Sequence, residues 1–273
     1  MTAPADWAGL GIHVQDVGAG EPVVFLHSSG MSGDQWQRTA AVLVRDGWRT
    51  IVPDLLGSGR SPPWPDGKSF GVRDDVELIG RLLAQLGEPA HLVGHSYGGV
   101  VALQAALRAP VASIAVYDPV VFGVLRPDDR EAIADINRID FRWGDTPADR
   151  EAWLRSFVDY WGGEGAWSRL REPARAEFNR LAWVVHEGAR SLRDDQTPLE
   201  GYASLKMPAL IMTGELSPVA ARHAVGRLGE GLTGARLERF PGAGHMGPLT
   251  HVTRFNELLA AHLREAGGRN HRR

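Results

Sequence analysis

The hexapeptide Gly-His-Ser-Tyr-Gly-Gly at residues 94–99 carries residue types suited to nucleophilic catalysis. A serine at a sharp strand-to-helix turn presents its hydroxyl, and glycines around it let the backbone bend tightly. An apolar run precedes the motif and an almost wholly apolar helical pattern follows it, which is the context this turn requires. Ser96 is therefore the predicted nucleophile. The amides at the start of the following helix would face an anion formed above it.

A base must accept the proton of the serine hydroxyl, because that hydroxyl is a weak nucleophile near neutral pH. Imidazole titrates near that pH, and the chain has ten histidines. His245 stands in a glycine-rich segment, residues 242–246, between the last predicted strand and the last predicted helix. This position predicts His245 as the base. His91 and His95 lie in or beside a buried strand and are expected to make structural hydrogen bonds.

Three further segments resemble motifs of the α/β-hydrolase superfamily. His-Ser-Ser-Gly at 27–30 stands where the family usually has His-Gly-x. Residues 54–61 are similar to its D-x-x-G-x-G-x-S turn, and residues 242–246 to the loop that presents its catalytic histidine. The motifs follow the family's order, and the resemblance covers about residues 14–263. It implies an α/β-hydrolase fold, with a mostly parallel sheet flanked by helices, and a serine nucleophile.

The resemblance also implies an oxyanion hole built from the backbone amides of Tyr97 and Ser29. Ser28 replaces the family's common glycine, so the Ser28 amide is an alternative donor, and its hydroxyl could add a contact to substrate. His27 is expected to brace this loop through its ring rather than to transfer protons.

The acid is where the sequence departs most from the family. Its common G-x-x-D arrangement places Ser217 at the acid position here, and serine cannot supply the charge that stabilises an imidazolium. Asp118 ends the preceding predicted strand, where some members, including many haloalkane dehalogenases, carry their acid. Glu215 lies two residues before the usual site. Asp118 is favoured, and Glu215 remains the alternative.

The elements that must position these residues alternate along the chain. Nearly continuous apolar runs predict strands buried on both faces, at residues 22–27, 49–54, 90–94, 112–117, 208–213 and 235–240. Helical patterns lie at residues 74–86, 99–107 and 250–264. Residues 11–17 alternate in polarity and predict an antiparallel edge strand. The pattern is that of a single α/β domain over residues 1–273.

Residues 123–204 interrupt the alternation with helical patterns alone and contain five of the nine tryptophans. We predict a helical lid inserted between two strands, over the end of the sheet where α/β folds bind ligands. Its tryptophans are expected to serve in packing rather than as a cage around the substrate. His186 and Glu187 are expected on a solvated helix face.

The composition is that of an ordinary globular protein, with 43% hydrophobic residues and a net charge of −3. The absence of cysteine excludes disulfides, thiolate metal sites and a cysteine nucleophile. No metal motif or dinucleotide fingerprint is present, so no cofactor is expected. Nothing indicates nucleic acid, a membrane span or a signal peptide. We therefore expect a cytoplasmic enzyme with a small-molecule substrate, and a solvated basic tail at residues 269–273.

The predicted reaction is acyl transfer through an acyl-enzyme, with carboxylic esters of small apolar or aromatic substrates ranked first. Amides, lactones and the C–C bond of a β-diketone are alternatives with the same nucleophile. A slow-turnover small-molecule receptor and a non-hydrolytic enzyme such as a lyase or perhydrolase remain open, because one fold hosts many functions.

Overall fold

Seven strands form one sheet in the computed structural model, which describes residues 7–267; the predicted basic tail at 269–273 lies outside them. The order is β1-β3-β2-β4-β5-β6-β7, and every pair is parallel except β1 with β3. The strands are β1 (Val14–Val17), β2 (Pro22–Leu26), β3 (Arg49–Pro53), β4 (His91–His95), β5 (Ser113–Tyr117), β6 (Ala209–Gly214) and β7 (Arg236–Phe240). The predicted mostly parallel sheet with an antiparallel edge strand is confirmed.

Eleven α-helices are present within residues 7–267. They are α1 (Gln37–Arg45), α2 (Val72–Leu86), α3 (Tyr97–Ala106), α4 (Arg130–Ile136), α5 (Pro147–Gly162), α6 (Ala166–Arg169), α7 (Glu172–Arg180), α8 (Ala182–Asp194), α9 (Val219–Gly231), α10 (Gly247–Thr250) and α11 (Val252–Gly267). Short 3-10 turns lie at Trp7–Leu10, Gly33–Trp36, Phe122–Val124 and Leu199–Tyr202. Within the described residues, no helix is both long and apolar enough to cross a membrane.

Helices cover both faces of the sheet, which explains why strands β2 to β6 are buried along their whole length. Successive side chains of a strand point to opposite faces. Val24 and Leu26 of β2 therefore join the core formed with α2, α3 and α9. Val23 and Phe25 join the core formed with α1 and α11. The continuous apolar runs in the sequence reflect these two cores.

The segment between β5 and β6 contains α4 to α8 and no strand. It has a core of its own, made mainly of α5, α6 and α8 side chains such as Trp153, Leu154 and Trp167. The segment leaves and rejoins the fold at a narrow neck. A Cβ on Gly123 would lie 2.6 Å from the carbonyl oxygen of Thr197, so the two backbones touch there and only glycine fits.

The prediction that His186 and Glu187 lie on a solvated face is wrong. Both are buried, with 2% and 6% of their surface exposed. The His186 ring packs between the rings of Trp143 and Trp153, at 4.7 and 4.9 Å between centroids. Its Nε2 lies 3.0 Å from the Phe141 carbonyl oxygen. The sequence of α8 does not reveal this burial, because the covering residues are about 30 to 45 positions away in the chain.

Candidate active site

Ser96 occupies the turn between β4 and α3, with a φ of 54° that is uncommon for a residue with a side chain. A Cβ on Gly94 would lie 2.4 Å from the Gly98 carbonyl oxygen, and one on Gly98 would lie 2.3 Å from that of Leu26. The two glycines therefore permit the close approach of helix and strands. The turn leaves the Tyr97 amide at the first position of α3, where it has no partner within the helix.

Asp118 follows directly on β5, the strand next to β4, and also has a positive φ, of 43°. Ser96 and Asp118 are the two non-glycine residues with positive φ within residues 7–267. Each is held by a backbone hydrogen bond to the neighbouring strand: the Ser96 amide donates to Tyr117 and the Asp118 amide to Met212. Unusual backbone geometry thus coincides with two predicted site residues, as is common at functional sites.

The structure brings His245 and Asp118 together. His245 Nδ1 lies 3.0 Å from Asp118 Oδ2, and both side chains are almost fully buried. Ser217 Oγ donates to the same carboxylate oxygen at 2.6 Å, and Thr213 Oγ1 donates to Oδ1, also at 2.6 Å. Because Nδ1 is taken by the carboxylate, the Nε2 atom of His245 is the one left for chemistry.

Glu215, the alternative acid, is directed elsewhere. Its Oε2 accepts a hydrogen bond from the Gly242 amide at 2.9 Å, and the residue is exposed. Ser217, at the family's usual acid position, instead becomes a hydrogen-bond donor to Asp118. The carboxylate therefore lies at the end of β5, on Asp118, and the residue at the family's usual acid position, Ser217, contacts it through a hydroxyl.

The loop after β2 is fixed by side-chain hydrogen bonds. The Leu55 amide donates to His27 Nε2 at 3.0 Å, so Nδ1 carries the proton and donates to the Ser28 carbonyl at 2.9 Å. Burial lowers the pKa of His27, which keeps the ring neutral. The Ser28 amide donates to Gln35 Oε1 at 3.0 Å and is therefore occupied. Ser29, the other residue that the sequence suggested as a donor, lines the cleft at Ser96.

His95 connects this loop to the His245 loop, and the prediction that it makes structural hydrogen bonds is confirmed. Its Nε2 donates to the His245 carbonyl at 2.8 Å, and its Nδ1 accepts from Gln35 Nε2 at 3.1 Å. Burial, reinforced by the nearby His245, holds the pKa of His95 well below its ordinary value. His91 likewise bonds Ser113 Oγ at 2.8 Å. Neither ring is placed to act on a substrate at Ser96.

A buried carboxylate lies behind Tyr97. Asp75 on α2 accepts a hydrogen bond from the Tyr97 hydroxyl at 2.7 Å and another from the Leu56 amide at 3.0 Å. Burial raises the pKa of Asp75 to about 7, and these two hydrogen bonds only partly offset the shift. The pair ties the residue after Ser96 to α2 and to the loop that also binds His27.

A cleft of about 620 Å³ lies between the sheet edge and the β5–β6 segment. Ser96, Ser29 and His245 line its floor. Its walls are largely apolar and include Met31, Phe157, Val158, Trp161, Leu170, Phe178 and Leu249. This size and lining are typical of sites for small organic molecules.

Four residues of this site escaped the sequence analysis. Thr213 and Gln35 are ordinary polar residues whose partners lie 95 and 60 positions away. Asp75 lies in an amphipathic helix pattern, and nothing in that pattern indicates that its side chain is buried. Trp161 packs its ring on His245 with 4.3 Å between centroids. The sequence indicated a tryptophan-rich segment but gave no reason to single out this one.

The fold and the sequence match one class of protein. The sequence matches the alpha/beta hydrolase family over residues 23–258. The chain therefore belongs to that family and is a hydrolase.

Individual relatives are distant. The chain is 29% identical to the dihydrolipoyllysine-residue acetyltransferase component of the acetoin cleaving system of Cupriavidus necator, over 95% of this chain and 68% of that protein. It is 25% identical to the 2-hydroxymuconate semialdehyde hydrolase of a Pseudomonas species, over 95% of this chain and 92% of that protein. Its fold is similar to that of an esterase from Exiguobacterium antarcticum, with a TM-score of 0.71 and 24% identity, covering 93% and 95% of the two chains.

Proposed function

We propose that this protein hydrolyses carboxylic esters through an acyl-enzyme on Ser96, with His245 as the base and Asp118 as the acid that orients it. The observation that carries the proposal is the buried 3.0 Å contact between His245 Nδ1 and Asp118 Oδ2, in a loop that lines the same cleft as Ser96. The charged carboxylate selects the tautomer whose Nε2 can accept a proton, and it stabilises the imidazolium that results.

The reaction proceeds in two balanced halves. Ser96 Oγ bonds to the ester carbonyl carbon as its proton passes to His245 Nε2, and the carbonyl oxygen becomes an oxyanion bound by the amides of Tyr97 and Ser29. The carbon–oxygen bond to the alcohol then breaks, and the alcohol oxygen takes the proton from His245. In the second half, water attacks the acyl carbon as its proton passes to His245 Nε2. The bond between that carbon and Ser96 Oγ then breaks, the acid is released, and Ser96 Oγ takes the proton back.

The cleft supports a small apolar or aromatic substrate. Its walls are built mainly from aliphatic and aromatic side chains, and the charged Asp34, Arg169 and Glu177 also border it. The Pseudomonas relative is a hydrolase of a small organic molecule, 2-hydroxymuconate semialdehyde. The β5–β6 segment, residues 123–204, contributes the aromatic part of the walls and acts in this proposal as the lid.

The test is hydrolysis of p-nitrophenyl esters by the wild type, by Ser96→Ala and by Ser168→Ala, which removes an exposed serine of the lid. We expect release of p-nitrophenol by the wild type and by Ser168→Ala. In Ser96→Ala we expect kcat to fall by at least about 10³-fold, because removal of the nucleophile leaves only binding and the oxyanion donors. Retention of activity in folded Ser96→Ala would exclude the acyl-enzyme. Inactivity of the folded wild type on every ester would exclude ester hydrolysis and direct attention to amides, lactones and C–C bonds.

A further inference from the structure

Two spaces of very different size meet at Ser96. The outer one is the cleft of about 620 Å³ described above. The inner one is a chamber of about 20 Å³ that Ser96 and Ser29 also line. The two spaces share Ser29, Ser96, Phe157 and Trp161 among their lining residues. A tetrahedral carbon on Ser96 would therefore have access to both.

The inner chamber is apolar apart from the two serines. Its remaining walls are aliphatic and aromatic side chains from the loop after β5 and from the lid: Val120, Phe122, Ile136, Ile139, Phe141, Phe157, Trp161, Ala189 and Leu192. Most of them are buried, and Phe157 and Trp161 stand one helical turn apart on α5, with 6.3 Å between ring centroids. A volume of about 20 Å³ holds one group the size of a water molecule or a methyl group.

The position of His245 decides which part of an ester enters which space. The alcohol oxygen must lie next to His245 Nε2, because the proton lost by Ser96 is delivered there. His245 lines the outer cleft but does not line the inner chamber. The alcohol part must therefore extend into the outer cleft. With the carbonyl oxygen directed to the amides of Tyr97 and Ser29, the acyl substituent is left with the inner chamber.

We infer that the protein prefers esters of a very short acid, acetyl above all, with a larger apolar or aromatic alcohol. This inference rests on the proposed function and adds to it an asymmetry of the substrate, namely that the acyl part is small and the alcohol part is large. Each further methylene on the acyl side must displace close-packed side chains of the chamber, whereas the outer cleft accepts an alcohol of drug-like size.

The experiment measures kcat/KM in two series. In the first, p-nitrophenol is kept and the acyl chain is lengthened from acetate through butyrate to hexanoate. We expect a fall of at least about tenfold from acetate to hexanoate, since one or two methylenes in a tight pocket change kcat/KM by that order. In the second, acetyl is kept and ethyl, hexyl and benzyl acetates are compared, whose alcohols are similar leaving groups. We expect benzyl acetate to exceed ethyl acetate.

Variants locate the effect. Ile136→Ala enlarges the inner chamber and should reduce the acetate-to-hexanoate ratio by about fivefold or more, and Ile139→Ala serves the same purpose if the first variant folds poorly. Leu170→Ala is the matched control, because Leu170 lines the outer cleft and does not line the inner chamber. It should leave the acyl ratio within about twofold.

The outcomes are distinct. Wild-type preference for hexanoate, with activity lost in Ser96→Ala, would overturn the asymmetry and leave the proposed function intact. An unchanged acyl ratio in both isoleucine variants would remove the inner chamber as its cause and overturn the inference. Absence of hydrolysis of every ester by folded protein would overturn the proposed function, and this inference with it.

Discussion

The carboxyl edge of the sheet and the lid hold their side chains in different ways. At the sheet edge, Asp118, Thr213 and Ser217 are at most 3% exposed and joined by hydrogen bonds of 2.6 Å. In the lid, packed rings such as Trp153 on Phe157 form the interior, 5.2 Å apart at their centroids. Hydrogen-bonded networks fix direction, whereas apolar packing fixes mainly shape and volume. Under the proposed function, the sheet edge therefore performs the chemistry, and residues 123–204, the lid of that proposal, set the choice of substrate.

The largest expected effect is the loss of kcat on substitution of Asp118, at the carboxyl edge of the sheet. Asp118→Asn keeps the shape of the side chain but removes its charge, and we expect kcat to fall by about 10³–10⁴-fold, with KM changed far less. The measurement is steady-state hydrolysis of the best ester. Glu215→Gln is the matched control and should leave kcat within about twofold, because Glu215 contacts the Gly242 amide rather than His245. The opposite pattern would assign the acid to Glu215.

Substitution of two tryptophans of the lid should distinguish a role in packing from a role at the cleft. Trp167 is 2% exposed in the lid core, and Trp167→Ala should lower the free energy of unfolding by about 3–5 kcal/mol while the folded enzyme keeps its kcat. Trp161→Ala removes the ring on His245 and should instead reduce kcat/KM by about tenfold with a smaller loss of stability. Urea unfolding and kinetics on both variants provide the comparison. Equal kinetic losses in both would mean that the lid is part of the catalytic framework.

Asp75 gives the network behind the sheet edge a pH dependence. Its pKa is raised by burial to about 7, with the neighbouring Asp74 charge adding to the shift and the bonds from Leu56 and Tyr97 opposing it. The folded state therefore binds this proton more tightly than the unfolded chain. The resulting stabilisation is complete below the ordinary pKa of about 4 and is lost as the pH rises through about 7.

Urea unfolding between pH 5 and 8 should show this loss in the wild type and not in Asp75→Asn. We expect the wild-type free energy of unfolding to fall by about 2–3 kcal/mol relative to the variant over that range. Parallel curves for the two proteins would show that Asp75 ionises near its ordinary pKa and that its burial is relieved in solution.

The smallest expected effect on kcat concerns the hydroxyls that donate to Asp118. Ser217→Ala should lower kcat by about tenfold, the order expected for one hydrogen bond to a charged group. Thr213→Val, which removes the partner of the other carboxylate oxygen, should act similarly. If neither substitution changes kcat, the direction of Asp118 is set by its backbone and His245 alone, and the network is structural.

The sequence predicted the sheet edge far better than the lid. Six of the seven strands lie within about one residue of their predicted bounds, and β1 begins at Val14, three residues after its predicted start. Strands buried on both faces have long apolar runs, and the Ser96 turn needs glycines at fixed positions. Both features can therefore be recognised from residues that are close together in the sequence. Its place at a strand end favours Asp118 over Glu215 as the acid, and Asp118 is the one that contacts His245.

The missed features depend on contacts between distant parts of the chain. The burial of His186 comes from Phe141, Trp143 and Trp153, none of which lies on its own helix. Gln35 joins two loops only because the fold brings His95 and Ser28 to it. A helical pattern shows which residues share a face, but it does not show which element covers that face.

The neck at Gly123 and Thr197 gives the lid a modular character. Because the chain leaves and re-enters the fold at touching backbones, the residues between them can be exchanged as a cassette with little change in loop-closure entropy. Ser96, Asp118 and His245 all lie outside the exchanged residues. Recombination between relatives, with one crossover at each end of this segment, would replace the walls that it contributes to the cleft and leave the proposed reaction centre unchanged. New substrate ranges would thus arise from the exchange of one contiguous segment.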